Sequence, residues 1–545
     1  NNLNIFDLIF REIQKKREAE EAVIVRKPVL PLWLALLIAI LGAGLYFSFV
    51  LPALTPKSMD FYIFIGFVLI LLLVLLSMTK VASKIQRILP IALMVVVILP
   101  ILLSLLGSPL FWSKTYASLL VPTQGVFSEE VSSIDFDQYP IVDKEAAQVI
   151  GQKQMGSIPE LVSQFEIDEI YTQINLREKP VRISPLKYYD LFKYLGNYKD
   201  GIKHYVAVDM TTQESSLETL EEPIFYSESD YLLRNIHRHL RFQYPFSIFG
   251  QTNLELDDNG KAYYITPELT KRVILLSGTD VKGVIVTDAT TGESVRYTEN
   301  IPTWIDRVYP AELMMSQLDS HGAYQGGFFN SLFGQRGVTS TTDGYNYVSI
   351  GEDIYMTTGV TSVRSDESNL GFYYVNLRTK EATFYPVPSA IESQAMESAR
   401  GKIQEKNYTP TFPIVLNLSG RPVYFMSLKD QARTAKMFAI VDAQKFNEVI
   451  VGDTVEQVVQ NYTLAHATNT EAPLETTDSS ITIKAIKEAV VDGNTMYFIE
   501  AEGSDKNYIA TAKQLGASIL KLEVGKTLEV EGTEDEMQFI IMSIK

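Results

Sequence analysis

The apolar positions of this chain change period twice, and each change marks a different kind of structure. Near the N-terminus three uncharged stretches, Leu32–Leu51, Phe61–Thr79 and Ile88–Leu106, are apolar at nearly every position. Each is long enough to cross a bilayer, and none has the polar face of a soluble surface helix. Pro90 and Pro100 are tolerable in such a span, where neighbours re-satisfy the freed carbonyls. Ahead of them Ile5, Phe6, Ile9, Phe10 and Ile13 recur at helical spacing, with Asp7–Arg11 and Glu12–Lys16 at i,i+4. This predicts an amphipathic helix in a cytoplasmic arm, residues 1–31, lying on the inner leaflet, docking a partner or packing on its own spans.

Beyond residue 106 the pattern shortens to strand-like runs joined by polar turns. Four segments share one plan, an apolar run, a turn rich in Asp, Asn or Thr, then a second run: 205–214 (YVAVDMTTQE), 284–297 (VIVTDATTGESVRY), 372–385 (FYYVNLRTKEATFY) and 438–451 (FAIVDAQKFNEVIV). Each reads as a β-hairpin whose Asp or Asn caps the turn backbone. Helical patterns accompany them at Asp143–Gln154, Ser389–Gln404 and Asp453–Asn461, the last opening on an Asp cap with Glu three residues on. The expected fold is a membrane-anchored α+β protein: three N-terminal transmembrane helices, then α+β repeats with antiparallel sheets. Five further runs, Ile481–Ile486, Thr495–Glu500, Leu520–Val524, Thr527–Val530 and Gln538–Ile544, predict a C-terminal small β-barrel of OB or SH3 type. The domain boundaries that follow are 1–31, 32–106, a linker 107–138, α+β regions 139–310 and 311–466, a linker 467–480, and the barrel 481–545.

The run from Ser389 through 421–426 (RPVYFM) to 439–443 (AIVDA) resembles the PepSY and cystatin-like modules of bacterial surface proteins. There a helix precedes strands of the form G-x-P-x-Y-x-V and x-V-D-A-x-T-G-x-V. Residues 420–424 (GRPVY) and Val284–Val295 match those strand patterns, and the Val284 copy alone keeps both the second strand and the Thr-Gly turn. The resemblance covers residues 140–465 as divergent repeats. It implies a noncatalytic module of inhibitory or interaction type and supplies no catalytic residues.

Charge gives the spans a direction. Arg11, Lys15, Lys16, Arg17, Arg26 and Lys27 precede the first span, and Lys80, Lys84 and Arg87 lie between the second and third without an acid. Positive-inside counting makes both cytoplasmic, so residues 107–545 are expected outside a cell membrane that the chain crosses several times. A cleaved signal peptide fits the first span poorly, because a 31-residue charged arm precedes it and two spans follow. The 545 residues carry a net charge of -17; removing +1 for the arm and +3 for the second loop leaves -21 on the exported part. A pI near 4.9 and the lack of cysteine exclude a disulfide scaffold and a nucleic-acid binder working through bulk charge. An exported region without disulfides suits a Gram-positive-type surface protein.

Sites for chemistry are sparse. Residues 525–527 (GKT) have Leu520 where a phosphate-binding loop needs glycine, and a strand follows them. Glu255–Gly260 (ELDDNG) reads as a calcium loop around Asp257 or as a hairpin turn; Thr266 stands where the loop needs its bidentate acid. His237 and His239 would share a face on a strand and could chelate zinc or copper there, whereas Arg234, Arg238 and Arg241 favour a basic segment pairing with the protein's own surface. No nucleophile elbow, zincin helix or dinucleotide loop occurs, and no cofactor is expected. Gly322–Gly344 combines six glycines with Tyr324, Phe328, Phe329 and Phe333. It reads as a contact loop for a neighbouring subunit, a partner or the outer leaflet, or as a cap on its own core. These features lead to a noncatalytic, membrane-anchored surface scaffold forming a homo-oligomer, with lipid and surface-protein partners. A regulator of surface peptidases and a pore or transport component are the alternatives.

Overall fold

The computed structural model describes residues 30–79, 83–131, 140–156, 158–176, 179–363, 365–418, 420–466, 477–491, 494–504, 506–511, 515–534 and 538–545. Most of the predicted cytoplasmic arm lies outside these residues. Three apolar helices come first, α1 (Leu32–Val50), α2 (Met59–Ser77) and α3 (Ser83–Leu106), each with a stretch long and apolar enough to cross a membrane. Ala35 and Ala39 of α1 let it pack closely on Leu75 of α2, and Tyr46 stacks on Phe67 at 4.5 Å. Most other side chains on these helices are exposed, as lipid-facing residues should be. The short α4 (Pro109–Ala117) follows α3 directly.

The body built on these helices, up to Val449, repeats one module four times. A helix is followed by two short strands on one edge of a sheet, then by long antiparallel strands. In the first module α5 (Lys144–Met155) precedes β1 (Phe165–Ile167), β2 (Thr172–Leu176), β3 (Lys179–Tyr188), the inserted helix α6 (Leu191–Asn197), β4 (Ile202–Asp209) and β5 (Ser215–Ile224). In the second, α7 (Ile236–Gln243) precedes β6 (Ile248–Phe249), β7 (Asn253–Leu256), β8 (Ala262–Val273), β9 (Ser277–Asp288) and β10 (Ser294–Tyr297). The third has α8 (Ala311–Tyr324), β11 (Thr339–Thr341), β12 (Asn346–Ile350), β13 (Asp353–Ser362), β14 (Ser365–Asn376) and β15 (Ala382–Tyr385). The fourth has α9 (Glu392–Lys402), β16 (Thr409–Pro410), β17 (Ile414–Leu418), β18 (Arg421–Lys429) and β19 (Ala435–Asp442). In each sheet both short strands pair with the first long strand, which pairs with the second.

The four predicted turns carry the repeat at atomic detail. Asp209 Oδ1 accepts the backbone N–H groups of Thr211 and Thr212, Asp288 Oδ1 those of Thr290 and Thr291, Asn376 Oδ1 those of Arg378 and Thr379, and Asp442 Oδ1 those of Gln444 and Lys445, all at 2.8–3.0 Å. In the first three a Thr hydroxyl then accepts from the N–H of the glutamate two residues on, Glu214, Glu293 or Glu381. The residue before that glutamate is left-handed in each: Gln213, Gly292 and Lys380. The glycine is obligatory only in the second copy, where a Cβ on Gly292 would overlap the Tyr226 ring.

Apolar faces then close the modules. Met314 and Leu318 of α8 pack on Ile354, Met356, Val360, Tyr373 and Val375, while Ile305 and Val308 pack on Ile265, Val281, Val284 and Val286 of the second sheet. Contacts run from each module to the next. Phe225 N–H donates to Ala289 O at 2.9 Å, Lys380 pairs with Asp280 at 2.6 Å, and Tyr374 OH donates to Val415 O at 2.6 Å. The fourth module returns to the first through Lys429, 2.6 Å from Asp143 and 2.9 Å from Glu145.

Ile450–Lys545 forms a second compact unit. The division falls ahead of the expected linker 467–480, and residues 477–480 of that linker are already strand. Helix α10 (Val455–His466) starts one residue later than its predicted cap: Thr454 Oγ1, not Asp453, accepts the Gln457 N–H, and Gln457 Oε1 accepts the Asp453 N–H. The barrel is closed, with β20 (Thr477–Val491), β21 (Asn494–Ala501), β22 (Asn507–Thr511), β23 (Thr527–Glu534) and β24 (Gln538–Ile544) in the order β20-β21-β22-β24-β23. Parallel pairing of β22 with β24 is the OB-type arrangement. One expected strand is corrected. Leu520–Val524 is not a strand: Gly516–Lys521 form a 3-10 helix and Leu520 and Val524 are exposed, whereas Tyr508, Ile509 and Ala510 bury into the barrel as the third strand.

Candidate functional site at the module junction

The most chemically loaded part of the molecule lies where modules one, two and three meet. Glu255 on β7 and Asp306 in the connection to α8 are both buried. Glu255 Oε2 accepts the Asp306 N–H at 2.8 Å and its Oε1 the Arg307 N–H at 3.1 Å, while Asp306 Oδ2 accepts the Asn175 N–H of β2 at 2.8 Å. Burial outweighs these bonds and pushes the Glu255 carboxyl up to about 7. Asp306 is raised well above the usual carboxylate range, by burial and then by Glu255.

One guanidinium group, Arg307, acts on both carboxyls, and a second, Arg182, lies near Arg307. Arg182 of β3 is buried and donates to Gln173 Oε1 at 3.2 Å; burial, then neighbouring Arg307, lowers it to about 10. Arg307 donates to Tyr347 OH at 3.0 Å and lies 4.1 Å from that ring's centre. Burial raises the Tyr347 phenol, but Arg307, Tyr345 and Arg182 together outweigh it and the net shift is downward. Among the described residues neither arginine has a carboxylate within ion-pair distance.

Arg307 also lines a cavity of about 90 Å³ with Gln251, Asn253, Tyr309, Glu312, Tyr345 and Tyr347. A wider cleft of about 540 Å³ along α8 shares Glu312 and Tyr345 with it and adds Met315, Asp319, Ala323 and Tyr324. The arrangement is a basic, tyrosine-walled recess behind an acidic rim. It suits recognition of an extended polar chain by aromatic contact and charge. Ser316 and Ser320 lie in the cleft, but Ser320 donates to Ser316 O, and His321 is turned toward Ala117 O at 2.8 Å. Glu312 and Asp319 line the same cleft, and Asp319 accepts from the N–H and hydroxyl of Thr341.

The predicted contact segment is more ordered than a loop. Gly322–Tyr324 complete α8, Asn330–Gly334 form a π-helical turn, and Thr339–Thr341 are β11. Gly322 is required there, because a Cβ would overlap the Thr339 carbonyl. Tyr324 packs on Tyr116 and Phe328, while Phe329 and Phe333 are 66% and 77% exposed. Its first aromatic thus packs within the chain, and Phe329 and Phe333 are left exposed.

The metal candidates are placed as follows. His237 and His239 lie on a helix, not a strand, and point apart; His237 pairs with Glu228 at 2.9 Å and His239 with Gly292 O at 2.7 Å. Asp257 accepts the N–H groups of Asn259 and Lys261 and so caps the hairpin between β7 and β8. Residues 525–527 are a turn leading into β23, with Gly525 at φ +84°. Sequence reasoning missed the junction itself. Its one signal was Asp306-Arg307 set between the apolar Ile305 and Val308, a charged pair inside a buried run.

No protein-family model matches the chain, and no curated protein matches it. The function is therefore argued from this geometry alone.

Proposed function

We propose that this chain is a noncatalytic, multi-pass membrane protein of a bacterial surface, whose repeat body is an interaction scaffold held outside the cytoplasmic membrane. One observation carries the reading: a single helix-and-sheet module is repeated four times, and the first three copies meet at a polar junction that leaves the recess at Arg307, Tyr345 and Tyr347 open beside α8. Repetition of one module beside an open recess is the build of a scaffold. The resemblance to PepSY and cystatin-like modules points the same way. In this reading the N-terminus is cytoplasmic, residues 107–545 are extracytoplasmic, and copies of the chain associate with one another. Native-mass measurement of the full chain in mild detergent tests the last point. Discrete multiples of the 61.3 kDa chain are expected, and a monodisperse monomer would overturn the homo-oligomer.

The open cleft favours one second reading, a regulator that seats a peptidase loop or substrate chain between Arg307 and Asp319. The full chain in nanodiscs should then slow an extracellular peptidase. Unchanged rates across a peptidase panel would count against it.

A further inference from the structure

The first and third apolar helices run in the same direction, so their C-terminal ends emerge on the same side of a membrane. At the end of α1 the repeat body is bonded to the helix terminus, and at the end of α3 the following helix α4 is. Arg238 Nε donates to Ser48 O at 3.1 Å and Arg241 Nε to Leu51 O at 2.9 Å, satisfying carbonyls that α1 leaves open. Leu54 N–H donates to Pro245 O at 2.8 Å, and the rings of Phe47 and Phe242 meet edge to face at 5.4 Å. At the end of α3, Trp112 Nε1 donates to Leu106 O at 3.0 Å and Tyr116 OH to Gly107 O at 2.8 Å. These bonds fix the depth of the neighbouring body segments relative to the helix ends.

The segments so fixed carry large apolar side chains into open space. Beside α1, Arg238 lies over the Phe49 ring and donates to Leu232 O, while Arg234 donates to Tyr198 O, at the end of α6. Leu232 is 73% exposed and held at φ +55°, a conformation that a leucine avoids, and Phe192 of α6 is 79% exposed. Beside α3, the stack Tyr116–Tyr324–Phe328–Phe329 leads from α4 to Phe333. Residues 322–333 contain no charged side chain. In water, each such patch would cost free energy in proportion to its apolar area.

We propose that both patches, Leu232 with Phe192 and Phe329 with Phe333, sit in the headgroup and upper acyl region of the leaflet in which α1 and α3 end. The body then rests on the bilayer instead of standing away from it. Continuity with the span ends selects lipid over a second copy of the chain, because one patch is tied by hydrogen bonds to the end of α1 and the other, through the ring contacts of Tyr116, Tyr324, Phe328 and Phe329, to the α4 segment at the end of α3, where aromatic belts form. The inference rests on the membrane-anchor part of the proposed function and is independent of oligomer formation.

The test uses the full chain in phospholipid nanodiscs, with Phe192→Cys, Leu232→Cys or Phe333→Cys carrying a nitroxide; each is the sole cysteine because the chain has none. All three positions are exposed, so labelling disturbs no packing. Collision with dissolved oxygen should exceed collision with a neutral nickel chelate, as for a residue below the water interface. Nickel accessibility equal to or above that of oxygen would place the patches in water and overturn the proposal. Low accessibility to both reagents would mean that protein covers them, and would overturn it in favour of a second copy or another polypeptide.

Discussion

The junction of the modules and the aromatic turn after α8 are opposites in chemistry. The junction buries Glu255, Asp306 and Arg182 among backbone donors and phenols; the turn exposes Phe329 and Phe333 and carries no charge. Buried charge holds only where several partners over-determine it, so each junction residue is tied to fold stability. An exposed apolar residue contributes little to the fold, so its presence has to be explained by what it meets. The contrast divides the molecule into residues that make the scaffold and residues that use it.

The largest effect is expected from Asp280, which joins modules two and three. It accepts from Lys380 at 2.6 Å, Arg272 at 3.1 Å and Gln317 at 3.3 Å. Burial alone would raise its carboxyl, but Lys380 and the other donors outweigh burial and hold it below the usual range. Asp280→Ala leaves the largely buried Lys380 ammonium without its acid, and removing one partner of such a pair costs about 3–5 kcal/mol. A fall in the thermal midpoint of the detergent-solubilised chain checks it. An unchanged midpoint would mean that this inter-module ion pair does not stabilise the body.

Acidity probes the junction from the other side. The folded carboxyl of Glu255 lies near 7 against an ordinary 4.5, so the native state binds a proton that the unfolded chain releases. The stabilising contribution is fully present below about 4.5 and is lost as pH rises through about 7, with a ceiling of about 3 kcal/mol from the size of that shift. Glu255→Gln should flatten the pH dependence between these limits, and through Asp306 as well, since Glu255 helps to raise that neighbour. The variant should also be less stable than wild type at low pH. Its amide nitrogen must face a backbone N–H where a carboxylate oxygen now accepts. Parallel pH profiles for the two proteins would remove Glu255 from the account.

A smaller effect separates the turn copies. Gly292→Ala drives a Cβ toward the Tyr226 ring and should cost about 1–3 kcal/mol through overpacking. Gln213→Gly, at the equivalent left-handed position, relieves a conformation that a side chain disfavours and should change stability by under about 1 kcal/mol. Equal effects from chemical denaturation would mean that the copies are not energetically distinct.

The same division explains what could be read from sequence. Turn-capping Asp209, Asp288, Asn376 and Asp442, and the helix cap Asp143, which accepts the Ala146 N–H at 2.8 Å, are local interactions, so spacing alone exposed them. The three spans were legible because uninterrupted apolarity needs no partner to be recognised. The barrel's third strand was missed because 520–524 (LKLEV) alternates apolar and polar residues as a half-buried strand does, whereas 507–511 (NYIAT) does not, and burial made the latter the strand. The junction was hidden for a different reason. Asn175, Arg182, Glu255 and Asp306 are brought together by three modules, and nothing local at Glu255 distinguishes a buried acceptor from the start of a polar turn.

Phe333→Ser is the smallest expected change and the sharpest test of the contrast. The side chain is 77% exposed and the π-helical turn beneath it is held by others: Asn330 Nδ2 donates to Arg336 O, and Asn330 Oδ1 accepts the Arg336 N–H. Removing the ring therefore creates no cavity and breaks none of these bonds, and the thermal midpoint in detergent should stay within about 0.5 kcal/mol of wild type. If stability fell as far as for Gly292→Ala, Phe333 would have to be packing within its own chain, and the turn would belong with the junction as part of the scaffold. An unchanged midpoint leaves the ring without a structural task inside the chain, so that its retention on an uncharged turn beside the end of α3 must be explained by what lies outside.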